Sequence, residues 1–178
     1  MLEWLSDQLS ISTLIWLFPI TFLLHDFEEI IFVEQWFKKN YNAVINKIPG
    51  RMKPTVQSLS QTTAARFSIP VFIQFVVYVI AAYLAAEKQY YGMLLGFNLL
   101  LFLHVFTHLG QTILFKIYAL GTGTALVITL PYSLYLFYRL LQERVIDYPD
   151  LLLNLPFGII TILIVWGGHR IAPKILPT

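Results

Sequence analysis

No stretch of this chain limits its fold more than Leu23-Leu24-His25-Asp26-Phe27-Glu28-Glu29-Ile30-Ile31, which sets one imidazole and three carboxylates inside a run that otherwise reads as a membrane-spanning helix. A charged group at the bilayer centre costs roughly 2.5 to 3.5 kcal/mol on insertion scales, so the segment settles in lipid only if those groups find buried partners. Ending the helix early is no escape. A segment that stopped before His25 would hold only about 14 apolar residues where about 20 are needed to span, so a broken or re-entrant first helix is the alternative to a continuous one.

Helix geometry sorts the polar groups. At about 100° per residue, with His25 at zero, Glu28 falls near 300° and Glu29 near 40°, so these three share an arc of about 100°. Asp26 lies to one side, near 100°, and Glu34 points to the opposite face, where it is expected to snorkel to the interface.

The rest of the chain identifies the solvent. Hydrophobic residues make up 57% and charged residues 12% of the 178, well under the roughly 25% charged of a soluble domain. The chain reads as a single integral membrane domain, an all-α polytopic helix bundle with about five transmembrane helices. The spans are expected at about 11–37, 68–86, 91–115, 118–141 and 151–169. The opening Met1-Leu2-Glu3-Trp4-Leu5-Ser6-Asp7 is acidic and lacks the basic region and cleavage site of a signal peptide, so the first apolar segment is expected to stay. There are no cysteines, which removes disulfides, thiolate ligands and a cysteine nucleophile together.

Orientation follows from the basic residues. Lys38, Lys39, Lys47, Arg51, Lys53 and Arg66 lie at 38–67, six of the 12 Lys and Arg, and mark that loop as cytoplasmic. Lys116, Arg170 and Lys174 then join them, against Lys88, Arg139 and Arg144 outside. The expectation is a multi-pass protein of the inner (plasma) membrane with its N-terminus outside and its C-terminus cytoplasmic. The loop has little aromatic interleaving, so no nucleic-acid partner is expected. Pro49-Gly50 and Pro54 read as turns, and Gln57 to Arg66 as a short interfacial helix. Gly92 and Gly96 should let the third span pack closely on a neighbour, and Pro131 and Pro156 should kink theirs. Trp4, Trp36, Tyr90, Tyr91, Tyr148 and Trp166 fall near span ends, as interfacial aromatics do.

Partners for the acidic motif appear in the third span, at His104-Val105-Phe106-Thr107-His108-Leu109-Gly110-Gln111. With His104 at zero, Thr107, His108 and Gln111 lie near 300°, 40° and 340°, the same arc as His25, Glu28 and Glu29. His25 and His104 also sit near the middle of parallel spans. His25, Glu28, Glu29, His104 and His108 are thus candidate ligands for a divalent metal ion, zinc favoured, with iron or manganese as alternatives. Glu28 or Glu29, if not spent as a ligand, is the candidate general base on a metal-bound water. Asp26, Thr107, Gln111 and Tyr118 are candidate supporting groups. His169 falls nearer the depth of Glu34, and whether it joins the site is open.

Those residues resemble a known family. The motif His25-x-x-Glu28-Glu29 in a first span, later histidines mid-chain, and Tyr118-Ala119-Leu120-Gly121 before the next helix are similar to the HXXEE-domain family of bacterial integral membrane proteins. Leu120 stands where that family's Tyr-x-Pro-Gly motif has proline. The resemblance implies that His25, Glu28, Glu29 and His104 or His108 are functional, and that the protein is enzymatic, without supplying a substrate. The expectation is a metal-dependent membrane hydrolase acting on a lipid or apolar small molecule from the bilayer. The alternative is a small cation or proton-coupled transporter using the same cluster. A carrier usually shows internal repeats, and five helices without a repeat fit that poorly unless the protein forms a homodimer.

Overall fold

The computed structural model describes residues 8–177, and every regular element among them is helical. The acidic opening segment, with Trp4, lies outside the described residues. The first helix, α1 (Ile11–Ile45), is capped at its start by Ser10, whose hydroxyl accepts the Thr13 amide at 3.0 Å. It runs unbroken through His25 for 35 residues, roughly 52 Å at 1.5 Å per residue. Continuity, not re-entry, is the solution the chain adopts.

This helix outlasts the span expected to end near residue 37 because its far half has tertiary partners. The indole Nε1 of Trp36 donates to the Tyr118 carbonyl at 2.6 Å, and the Lys47 ammonium to the Phe115 carbonyl at 2.5 Å. Val44, Ile48 and Phe115 form a small core of their own at that end. The interfacial helix expected at 57–66 divides in two. A 3-10 turn at Gly50–Met52 leads into α2 (Lys53–Leu59), and α3 (Ala64–Lys88) starts afresh after Thr63, whose hydroxyl accepts the Arg66 amide. Glu34 supplies a second cap, its Oε1 accepting the Ala64 amide at 2.8 Å. Its carboxylate is therefore spent on an orphan donor of α3.

The third long helix, α4 (Gly92–Phe115), ends where Lys116 turns the backbone into the left-handed region. The chain then doubles back beside the last turns of α4, with the Ala119 amide on the Thr112 hydroxyl at 3.1 Å and the Thr112 and Thr122 hydroxyls also 3.1 Å apart. Helix α5 (Thr122–Gln142) thus begins inside the bundle. A π-helical turn at Ala125–Thr129 precedes Pro131, which has no N–H for the carbonyl four residues back. A short α6 (Tyr148–Leu153), opened by a capping box between Asp147 and Asp150, leads into α7 (Leu155–Ile175), with Pro156 in its first turn.

Among the described residues, four segments are long and apolar enough to cross a membrane, namely α3, α4, α5 and Tyr148–Ile175. Helix α1 is longer than any of them and joins them in an all-α bundle. Ile31, Phe72, Ile113, Val127 and Leu163 are among the large apolar side chains left on the outside, as a lipid-facing surface requires. Inside, α1 packs on α3, α3 on α7, and α7 on α4. The rings of Phe18, Tyr78 and Phe97 stack with centroids 4.6 and 5.0 Å apart, tying α1 to α3 and α4. The close approach of α4 is to α7: a Cβ on Gly96 would collide with the Asn154 carbonyl, and one on Gly158 would meet the Gly96 carbonyl at 2.9 Å.

Two faces of the bundle emerge from its contacts. Lys47 reaches the turn after α4, and the Arg66 Nε bonds the Leu176 carbonyl at 2.9 Å, so the loop at 38–67, the 115–121 turn and the C-terminal end share one face. On the other, buried Arg139 donates to the Leu9 carbonyl at 2.8 Å and to Glu143 at 2.6 Å.

Candidate metal centre

The arc expected on α1 meets the arc expected on α4. His25, Glu29, His104 and His108 each offer one ligand atom, and those four atoms all lie within 4.8 Å of one another. The His108 Nε2 is 2.9 Å from the His104 Nε2 and 3.3 Å from a Glu29 oxygen. The His25 ring lies edge-on to both other rings, with centroids 5.7 Å from His104 and 5.1 Å from His108. Ligand atoms around a tetrahedral zinc stand about 3.4 Å apart, given bond lengths of about 2.1 Å, so small side-chain rotations would close this group on an ion. The 2.9 Å between the two imidazole nitrogens is a hydrogen bond, so one of them carries a hydrogen. With that hydrogen on Nδ1 instead, both nitrogens and the carboxylate oxygen would present lone pairs to one point, as a cation site does.

The group is closed on three sides and open on one. His25 and His108 are buried and Glu29 is nearly so, whereas His104 is exposed. Leu103 and Phe106, beside it on α4, are 43% and 51% exposed, so the opening faces the apolar outer surface rather than an aqueous end.

Glu28 takes a different place from its neighbour. One oxygen accepts from the Tyr118 hydroxyl and the Gly121 amide, and the other from the Thr124 amide at 2.9 Å and the Thr124 hydroxyl at 2.7 Å. The donors come from the first turn of α5 and the turn before it, so a carboxylate of α1 serves as the cap and counter-charge of α5. A charge that looks costly in the sequence is thereby satisfied by backbone that would otherwise be orphaned at membrane depth. The Gly123 amide in turn donates to the Tyr118 hydroxyl at 2.7 Å.

Gly121 forms the floor of the group. Its φ of +83° suits glycine, and a Cβ there would lie 2.5 Å from a Glu29 oxygen, 2.8 Å from His108 Cε1 and 3.0 Å from His25 Cε1. Thr107 lies at the rim, its hydroxyl donating to the His104 carbonyl at 2.7 Å and meeting the His104 Nδ1 at 3.0 Å. The remaining candidates stand apart. Asp26 is half-buried outside the group, Gln111 is exposed one turn beyond His108, and the ring of His169 packs on Phe67 at 5.4 Å. Thr124 was not singled out in the sequence, although its hydroxyl touches both Glu28 and the His25 Nδ1. The one signal for it was the small polar run Gly121-Thr122-Gly123-Thr124 at the head of an apolar span.

Comparison with known proteins places this arrangement. A family model described as "Protein of unknown function with HXXEE motif" matches residues 16–136, which hold all four members of the group and the 118–124 turn. No curated protein and no solved structure matches the chain.

Proposed function

This chain belongs to the HXXEE family, and on that premise we propose that it is a metal-dependent membrane enzyme, a hydrolase of a lipid or similar apolar substrate. The observation that carries the proposal is the convergence of His25, Glu29, His104 and His108 within 4.8 Å, on the side of the bundle that opens to its apolar surface. These four would hold a divalent ion, zinc favoured by the three imidazoles and one carboxylate. Such an ion supplies Lewis acidity to a substrate oxygen and lowers the pKa of water.

The chain's own residues supply the rest. Beside three imidazole ligands, Glu29 would act as base when water takes its place on the ion, taking a proton from that water and returning it to the leaving group. Water then adds across an ester, amide or phosphoester bond, its oxygen on the acyl or phosphoryl side and its hydrogen on the departing alcohol or amine. Glu28 holds the 118–124 turn against the group, and the opening beside His104 admits substrate from the bilayer. His108 lies seven residues from Phe115 at the end of α4, roughly 10 Å at 1.5 Å per residue, a depth suited to bonds just below a lipid headgroup.

The test is purification in detergent without added metal or chelator, with bound transition metals measured by elemental mass spectrometry. Near-stoichiometric zinc, iron or manganese that disappears in His25→Ala and Glu29→Gln supports the site, and the identity of the metal chooses between hydrolysis and redox chemistry. Absence of metal in the wild type after re-addition of all three ions overturns it.

A further inference from the structure

The metal reading leaves open how neutral imidazoles in an apolar setting are made to present lone pairs rather than N–H groups to one point. Two threonine hydroxyls answer it by proton counting. A hydroxyl has one hydrogen to give and can also accept. The Thr124 hydroxyl lies 2.7 Å from a Glu28 oxygen, 3.0 Å from the His25 Nδ1, 3.3 Å from the Gly121 carbonyl and 3.4 Å from the His25 carbonyl. The carboxylate is the nearest acceptor and the strongest, so the hydrogen goes to Glu28. With its hydrogen spent, Thr124 can only accept from His25, which must carry its proton on Nδ1.

The same count holds on α4. The Thr107 hydroxyl lies 2.7 Å from the His104 carbonyl, which can only accept, and 3.0 Å from the His104 Nδ1. Its hydrogen goes to the carbonyl, and His104 too must carry its proton on Nδ1. We infer that Thr107 and Thr124 are positioning residues that hold His104 and His25 in the Nδ1–H tautomer, leaving both Nε2 lone pairs for the metal. The inference rests on the reading of this group as a metal site. It gives a second task to Glu28, which reaches the metal group only through the Thr124 hydroxyl and the His25 ring, and it gives a reason for the threonine one helical turn after His104.

Supporting hydrogen bonds of this kind change metal affinity by about 10- to 100-fold. The experiment measures zinc affinity of the detergent-solubilised full chain by competition with a chromophoric chelator. Thr124→Val is expected to weaken zinc binding about 10- to 100-fold, and Thr124→Ser, which restores the hydroxyl, to return it to within about threefold of wild type. Thr107→Val and Thr107→Ser should form a second such pair. Equal losses in the valine and serine variants, or no loss in either valine variant, overturn the inference.

Nitrogen-15 NMR of the metal-free protein labelled at histidine, with His25→Asn and His104→Asn for assignment, reads the tautomers directly. Protons on Nδ1 of His25 and His104 support the inference, and a proton on Nε2 of either overturns it. This second reading holds whether or not the wild type binds zinc, so a failed metal site and a failed tautomer assignment give different results.

Discussion

At the scale of single residues, Gly121 is the glycine where an added side chain would press directly on the candidate metal group. The φ of +83° alone would cost a side chain roughly 1–2 kcal/mol, and the Cβ would also press on Glu29, His108 and His25 together. Gly121→Ala is therefore expected to lose most bound metal while the helices persist, measured by elemental mass spectrometry beside circular dichroism in detergent. Gly110→Ala is the matched control: nothing lies within 4 Å of a Cβ there, so metal content should hold and the helix should gain up to about 1 kcal/mol. That His25, Glu29, His104 and His108 would meet was legible at this scale, because helical periodicity sets their faces and the placement of each span sets their depth. Glu28 was legible as a group needing a partner, and Tyr118 as a supporting group, but their pairing was not, nor were the Gly121 amide and the Thr124 amide and hydroxyl. These lie 90 to 96 positions from Glu28, and backbone donors are announced by no side-chain pattern.

At the scale of elements, adjacent glutamates on α1 have separate duties. Glu28 caps α5 with four accepted hydrogen bonds, whereas Glu29 touches the histidines. Glu28→Gln puts an NH2 group where donors converge and removes the charge, so thermal unfolding should show a loss of about 1–3 kcal/mol, with faster amide exchange at 118–124. Glu29→Gln should leave the melting temperature of the metal-free protein nearly unchanged and remove the metal. Equal melting temperatures for the two metal-free variants would refute the division. The α4–α7 contact offers a second test at this scale. Gly96→Val would drive a side chain into the Asn154 backbone and should cost about 1–3 kcal/mol or more, read as a lower melting temperature. Hydropathy made the long helices legible to within a few residues. The extension of α1 to Ile45 and the late start of α5 escaped it because both depend on contacts across the fold, through Trp36 and Lys47 in one case and Glu28 in the other.

For the molecule as a whole, the contacts gather the basic residues on one face. Lys38, Lys39, Lys47, Arg51, Lys53, Arg66, Lys116, Arg170 and Lys174 make nine of the 12 Lys and Arg there, leaving Lys88, Arg139 and Arg144 for the other. From this asymmetry we propose that the basic face lies in the cytoplasm, by the excess of Lys and Arg that cytoplasmic loops carry. Because the natural chain has no cysteine, single-cysteine variants give a labelling experiment without background. Ser60→Cys, in the basic loop, is expected to react with a membrane-impermeant maleimide only after cells are opened. Glu87→Cys, exposed in the last turn of α3, should react in intact cells, and the reverse pattern would refute the orientation. The result also bears on chemistry. The group lies nearer the basic end of α4 than the opposite end from His108 onward, and it opens sideways beside His104. If the protein acts on a bilayer substrate as proposed, a cytoplasmic basic face would draw that substrate from the inner leaflet, and the inverted result would move it to the outer one.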